Sequence, residues 1–280
     1  MNELTKEIRK RLGLSQEELA SVLGVSPISI SRWENGKAKP SVLAEKQLFE
    51  LCKNHNLELA DYIVDSLKSE NEGLVLYHAS RNGITGNIKP ISRKRCDFGE
   101  GFYTGTGPLQ PLTLVSNEDH PIFYAVSLNT VNLKTLNIEV NFDWAMLIAY
   151  YRGYMDNIKE SPLYEKYAHM TDNIDVVIGY IADDRMYQVL TDFFEQRITD
   201  TALMSSLSAL DLGKQYVAIS EKACDSISIL KERSLTKLEL MILKEKSIIR
   251  RKEGLSLAEK AAKEHRRDGK YFDEILGGLK

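Results

Sequence analysis

The apolar residues first leave a purely helical period near Gly73, and that change limits the folds open to the chain. Before it, Leu12, Leu14, Leu19, Val22 and Leu23 recur at helical spacing. After it, runs such as "LVLYHAS", "IFYAVSLN", "LKTLNIEV", "IDVVIGYIA", "KQYVAIS" and "SISIL" carry the β-branched and aromatic residues of strands. Helices are expected between them over residues 143–155 and 184–198. A small all-α head followed by an α+β body satisfies both halves. The polar stretch "SLKSENEG" reads as a linker, so the expected units are 1–65, a linker at 66–73, a body at 74–234 and a helical tail at 235–280.

Within the head, residues 4–11 and 15–22 read as two short helices punctuated by Gly13 and Gly24. Ser15 suits an N-cap, with Glu17 and Glu18 in the first turn. Ser26 caps a third helix that starts at Pro27 and ends at "NGK". Ile30 and Trp33 then face inward, leaving Ile28, Ser29, Ser31 and Arg32 on or near the outside. Leu43, Leu48, Leu51, Leu57 and Ile63 continue the bundle. The order helix, glycine turn, helix is that of a helix-turn-helix, and "LSQEELASVLGVSPISISRWENGKAKP" resembles the Cro/repressor class. That resemblance implies DNA as a partner: Gln16 on phosphate, and Pro27, Ile28, Ser31 and Arg32 where the family reads bases. It also implies an Arg9–Glu34 salt bridge and a homodimer on paired half-sites. With Pro27 and Ile28 in this face, apolar contact with thymine methyl groups replaces hydrogen-bonded readout. Lys37 and Lys39 supply phosphate attraction that is indifferent to sequence.

In the body, "LYHAS", "DFGEGFYTG" and "KQYVAIS" stand in an order similar to the three strand motifs of the ADP-ribosyltransferase fold, in the clade of diphtheria toxin and the poly(ADP-ribose) polymerases. They are more similar still to bacterial domain-of-unknown-function family 3990, with "IGYIADD" as a further shared segment. The resemblance implies an ADP-ribosyltransferase-like domain with NAD as co-substrate. His78 would hold the adenine-side ribose and the Ala79 backbone, beside Ser80, the nicotinamide amide. Tyr103 would cover the nicotinamide ring and Gln215 position the reacting ribose, with His78, Tyr103 and Gln215 lining one cleft. Gly99 and Gly101 permit the turn and close backbone approach before Tyr103. Gln215 stands where the fold usually has Glu, so it brings hydrogen bonds but no charge. Asp183, Asp184 and Glu195 are candidate sources of the absent charge. "TGTGPLQPLTLVSN" also departs from the family in having Pro108 and Pro111 and no second ring-stacking aromatic.

In the tail, Ser256 and Glu259 form a capping-box pattern after Gly254, predicting two helices separated by a glycine turn. "IIRRK" and "EHRRDGK" are basic runs. Cys52, Cys96 and Cys224 are too few and too scattered for a disulfide framework or a zinc site, and His55, His120, His169 and His265 lack metal-ligand spacing, so no metal is expected. A formal net charge of −3 gives no global attraction to nucleic acid. No run approaches the roughly 20 apolar residues of a membrane span and no signal peptide is visible, which predicts a cytoplasmic protein without a membrane partner. Two functions compete. One is a mono-ADP-ribosyltransferase tethered to DNA, acting on an unknown macromolecule in a toxin–antitoxin or phage-defence setting, with an antitoxin as partner. The other is a transcription regulator whose inactive transferase-like domain senses NAD or ADP-ribose.

Overall fold

A computed structural model describes residues 2–67, 74–182, 184–210, 213–265 and 268–278. Most of the expected linker (68–73), Asp183, the Asp184 side chain and the arginine side chains at 250, 251, 266 and 267 in the two basic runs lie outside what is described.

The head consists of α1 (Asn2–Arg11), α2 (Gln16–Val22), α3 (Pro27–Glu34), α4 (Val42–Asn54) and α5 (Ala60–Asp65). Its boundaries follow local chemistry. Ser15 accepts from the Glu18 N–H while the Glu18 carboxylate accepts from Ser15 N–H, a reciprocal cap, and Ser26 accepts from Ser29 N–H with Pro27 in the first turn. Each such cap is worth about 1 kcal/mol. Leu4, Ile8, Leu19, Leu23, Ile30, Trp33 and Leu48 make the core. Leu43, expected inside, is instead 67% exposed beside the equally exposed Val42 at the start of α4.

The body is built on a mixed seven-stranded sheet of order β4-β5-β6-β2-β1-β3-β7, in which β4 (Thr135–Asn137) runs parallel to β5 (Val176–Tyr180) and every other pair is antiparallel. β1 (Val75–Ser80), β2 (Phe102–Gly105), β3 (Ile122–Leu128), β6 (Lys214–Ala218) and β7 (Ile227–Ser234) complete it. Because side chains alternate along a strand, the register assigns faces. Leu76, Phe102, Tyr124, Val126 and Ala218 pack on one side, under Ile84 and Ile88 of the loop after β1 and the short α11 (Glu221–Asp225). On the other side, Val177 and Val217 meet α7 (Phe142–Arg152), α9 (Asp184–Phe194) and α10 (Asp200–Ser208), while Phe123 and Ala125 meet α5 and α6 (Leu109–Leu114). α6 forms despite its prolines because Pro108 sits at the N-cap and Pro111 in the first turn, where a missing N–H costs nothing.

One helix joins the two halves. α12 (Lys237–Glu264) runs unbroken for 28 residues through Gly254, about 42 Å at 1.5 Å per residue. This corrects the expected break in the tail. Gly254 and Ala258 are buried, and Ser206 on α10 lies 3.1 Å from the Ala258 carbonyl, so the small residues serve close helix packing rather than a turn. At its other end, Leu238 and Ile242 of α12 belong to the core of the head, and Leu240 and Leu243 pack with Ile63 and Leu67 against the sheet. Ser66 and Leu67 of the expected linker are packed too: Ser66 Oγ accepts from Arg233 at 3.0 Å and Leu67 is 2% exposed. The head therefore sits on the body through a shared core.

Candidate functional site

On the head, α3 presents Pro27, Ile28 and Arg32 to solvent, with Ile28 71% exposed, and Ser31 half-buried. Lys37 and Lys39 are exposed just beyond the helix and, like Arg32, have no ion-pair partner among the described residues. The helix is fastened from behind. Arg9 donates to both oxygens of Glu34, at 2.6 and 3.1 Å, and to the Leu14 carbonyl at 2.9 Å. Gln16, expected on phosphate, donates to Glu34 at 2.7 Å, so its amide helps hold α3 against α2. Burial of Glu34 opposes ionisation, but Arg9 and Gln16 outweigh it and hold the carboxyl below its usual range.

On the body, β1 and β2 touch in register only at Tyr77 and Gly105, and beyond that point the two strands part. His78 fills the opening. Its Nδ1 lies 2.8 Å from the Tyr103 carbonyl oxygen and its ring stacks on Phe102 with centroids 4.3 Å apart. A carbonyl only accepts, so Nδ1 carries the proton and Nε2 keeps its lone pair, with no hydrogen-bond partner among the described residues. Burial pushes the His78 pKa down, against a smaller upward pull from the Tyr103 carbonyl, and the ring is held neutral. Ala79 pairs with Phe123 in the sheet, and Ser80 donates to the Gly83 carbonyl at 3.0 Å.

Tyr103 and Gln215 lie across the sheet from His78. His78 stands opposite Tyr124 on the loop-covered face, whereas Tyr103 opposes Val217 and Gln215 opposes Gly105 on the helix-covered face. The structure thus brings three strands together without bringing the three side chains into one group. The Tyr103 hydroxyl donates to the Gly99 carbonyl at 2.8 Å and accepts from Phe98 N–H at 3.0 Å. Gly99 has φ +76°, and a Cβ there would stand 2.7 Å from the Tyr151 ring; a Cβ on Gly101 would stand 2.6 Å from Val217. The bracketing glycines therefore answer to backbone conformation and close approach, as expected.

Gln215 is 3% exposed, and both amide hydrogens are spent, on Asp97 and on the Tyr180 carbonyl, each at 3.0 Å. Asp97 is the centre of this cluster. Its Oδ1 accepts from Arg152 at 2.6 Å and the Tyr187 hydroxyl at 2.7 Å, and its Oδ2 accepts from Ala182 N–H and Gln215. Arg152 lies 4.1 Å over the Tyr187 ring, and its Nε is a buried nitrogen without a partner among the described residues. No group of three or more metal-ligating side chains occurs among the described residues. The cysteines are unpaired; burial pushes the Cys52 thiol up to about 12 and Cys224 to about 11, so neither is a thiolate at neutral pH. No described helix is long and apolar enough to cross a membrane.

Residues 74–229 match the family described as protein of unknown function (DUF3990), more than half of the chain. The chain belongs to the DUF3990 family. Residues 6–44 match the helix-turn-helix family, so a DNA-binding head is fused to a DUF3990 domain. No curated protein and no solved structure matches the chain.

In the DUF3990 domain the residue that sequence reasoning passed over is Asp97, the first letter of "DFGEGFYTG". The charge near Gln215 was sought at Asp183, Asp184 and Glu195. Among the described side chains Asp97 supplies it, while Glu195 is exposed and paired with Arg197. No local signal joins Asp97 to Gln215, which lies 118 residues further along the chain. Asp97 beside Gln215 makes a second carboxylate there costly and an amide favourable.

Proposed function

We propose that the protein is a DNA-binding transcription regulator whose DUF3990 domain binds NAD or ADP-ribose at the parting of β1 and β2, with that binding biasing the head. The carrying observation is the fixed tautomer of His78: with Nδ1–H committed to Tyr103, the free Nε2 lone pair is left to accept a ribose hydroxyl beside the point where β1 and β2 stop pairing. The shared core along α5 and α12 supports the second half of the proposal, because it packs the sheet and the helices that seat α3 against common side chains. A ligand biases the head only if it binds two arrangements unequally. A homodimer on paired half-sites suits such a regulator.

A second reading, mono-ADP-ribosylation of a macromolecular target by an enzyme kept in check by an antitoxin, is favoured by one feature. The buried Asp97 carboxylate stands 3.0 Å from the Gln215 amide, near where the fold would hold its acidic residue. Against turnover, Arg152 neutralises Asp97 and both Gln215 amide hydrogens are engaged, so binding is the stronger proposal. Calorimetry and thermal shift with NAD and ADP-ribose test it, with His78→Ala as the control. Binding lost in that variant, together with altered operator affinity in the intact protein, is the expected result. Nicotinamide release by the intact protein would move the conclusion to the enzyme, and absence of any nucleotide-induced shift would end both.

A further inference from the structure

Residues 81–96, running from the end of β1 to Asp97, contain Arg81, Lys89, Arg93, Lys94 and Arg95 and no Asp or Glu, in a chain of net charge −3. Two of these cations are engaged: Arg81 pairs with Glu118 at 2.8 Å and Arg95 with Asp156 at 3.2 Å. Lys89, Arg93 and Lys94 are exposed and have no ion-pair partner among the described residues. The segment that carries them is anchored at both ends. Ile84 and Ile88 pack against the sheet, Ile84 N–H donates to the Tyr124 hydroxyl at 2.8 Å, and Ser92 accepts from Gly101 N–H at 3.1 Å while reaching the Gly99 carbonyl. Three free cations are thus held out on a fixed loop, with Ile91 among them 80% exposed.

Exposure decides what kind of anion suits this surface. A single small anion gains little from solvent-exposed cations, since water and salt screen the attraction within about 8 Å at physiological ionic strength. A polyanion gains more, because each neutralised phosphate releases condensed counterions to solution. We propose that Lys89, Arg93 and Lys94 form a second nucleic-acid contact, holding the phosphodiester backbone of the DNA that the head engages. The shared core holds the loop at a fixed place relative to α3, and the second contact is intramolecular on a duplex that reaches from the head to the opposite sheet face, where the loop lies. It stands independently of whether a nucleotide occupies the sheet.

Fluorescence anisotropy with a labelled duplex and the full chain tests the proposal, comparing the wild type with Lys89→Gln/Arg93→Gln/Lys94→Gln. Each phosphate contact contributes about 0.9 to the slope of log K against log salt, so the variant should have a slope smaller by about 2.7. Between 50 and 200 mM salt the wild type should then lose about 40-fold more affinity than the variant. Matching thermal melts of the two proteins, expected because these side chains hold nothing in the fold, exclude misfolding. Equal slopes would overturn the proposal. In a head-weakened background, Arg32→Ala/Lys37→Ala/Lys39→Ala, residual duplex binding should resist inorganic pyrophosphate and polyglutamate at matched charge. Displacement by pyrophosphate would make the loop a small-anion site, and displacement by polyglutamate a general polyanion surface; either overturns the assignment to nucleic acid.

Discussion

Glu34 in the head and Asp97 in the body solve the same problem with different reach. Each is a buried carboxylate that accepts from one arginine and one glutamine amide: Arg9 and Gln16 for Glu34, Arg152 and Gln215 for Asp97. The partners of Glu34 lie within 25 residues of it, on neighbouring helices. Those of Asp97 lie between 55 and 118 residues away, on α7, β6 and the start of α9, and include the Ala182 N–H and the Tyr187 hydroxyl. Closing such loops costs conformational entropy before any hydrogen bond returns it, so the Asp97 cluster completes itself only when the whole body has assembled. Glu34 locks a module; Asp97 locks a topology.

The largest expected effect follows from that difference. Asp97→Ala strands the Arg152 guanidinium and removes the acceptor from a buried amide, a hydroxyl and a backbone N–H. A loss of about 5 kcal/mol is expected, the upper end for breaking a buried ion pair. Asp97→Asn keeps the shape and some acceptors and should cost less than half of that. Urea denaturation of the two variants measures both, and near-equal stability of Asp97→Ala and the wild type would show that the cluster is dispensable.

Gln215→Glu should come next, at about 3 kcal/mol near pH 7. The new carboxyl would face the Asp97 oxygen and the Tyr180 carbonyl, two acceptors, in place of the two donors now present. Only its protonated form fits, so its folded pKa is raised above the unfolded value of about 4.3. The penalty relative to wild type should therefore shrink as pH falls from 7 towards 4.5. A pH-independent penalty would mean that Asp97 does not set the choice of amide here.

Arg9→Ala should cost less, about 2 kcal/mol, because Arg9 keeps some solvent contact and the pair spans only the head. The useful readout is where the loss appears. If the head were an independent bead, its transition would separate from that of the body. With Leu238 and Ile242 of α12 inside its core, a single transition shifted as a whole is expected, monitored at Trp33 in the head and Trp144 in the body.

These contrasts also explain what the sequence made legible. The head announces itself because caps, glycine turns and the apolar period all act within a few residues, and Arg9–Glu34 lies inside that range. Most strands were legible from β-branched runs, and Gly99 and Gly101 from their spacing. The Asp97 cluster was not, since nothing local distinguishes an Asp that meets α7, β6, α9 and the Ala182 N–H from one on a surface loop. The unbroken α12 was hidden for a related reason. Gly254 and the Ser256–Glu259 pattern say stop and start locally, and only burial against α10 overrides them. The expected single cleft of His78, Tyr103 and Gln215 failed on strand pleat, which order along the chain does not reveal but register does.

The smallest effect tests the body at His78, the residue proposed to hold the nucleotide. Burial lowers the His78 pKa in the fold, while the unfolded chain titrates near 6.5. Between those two values the unfolded state binds more protons than the native one, so stability falls as pH is lowered through this window and its His78 contribution is whole above about pH 6.5. His169 shifts the opposite way, raised by its hydrogen bond to Asp172, so the raw curve mixes the two signs. The difference between wild type and His78→Gln isolates the relevant one: the wild type should lose more stability than the variant between pH 7 and 5. Nucleotide affinity should hold through that window and fall only below it, where the folded ring itself takes a proton and Nε2 donates where a ribose hydroxyl needs an acceptor. Parallel stability curves would show that the ring is not held neutral. Affinity that stays flat below the window as well, while the stability difference persists, would place the nucleotide elsewhere and leave His78 as a packing residue between β1 and β2.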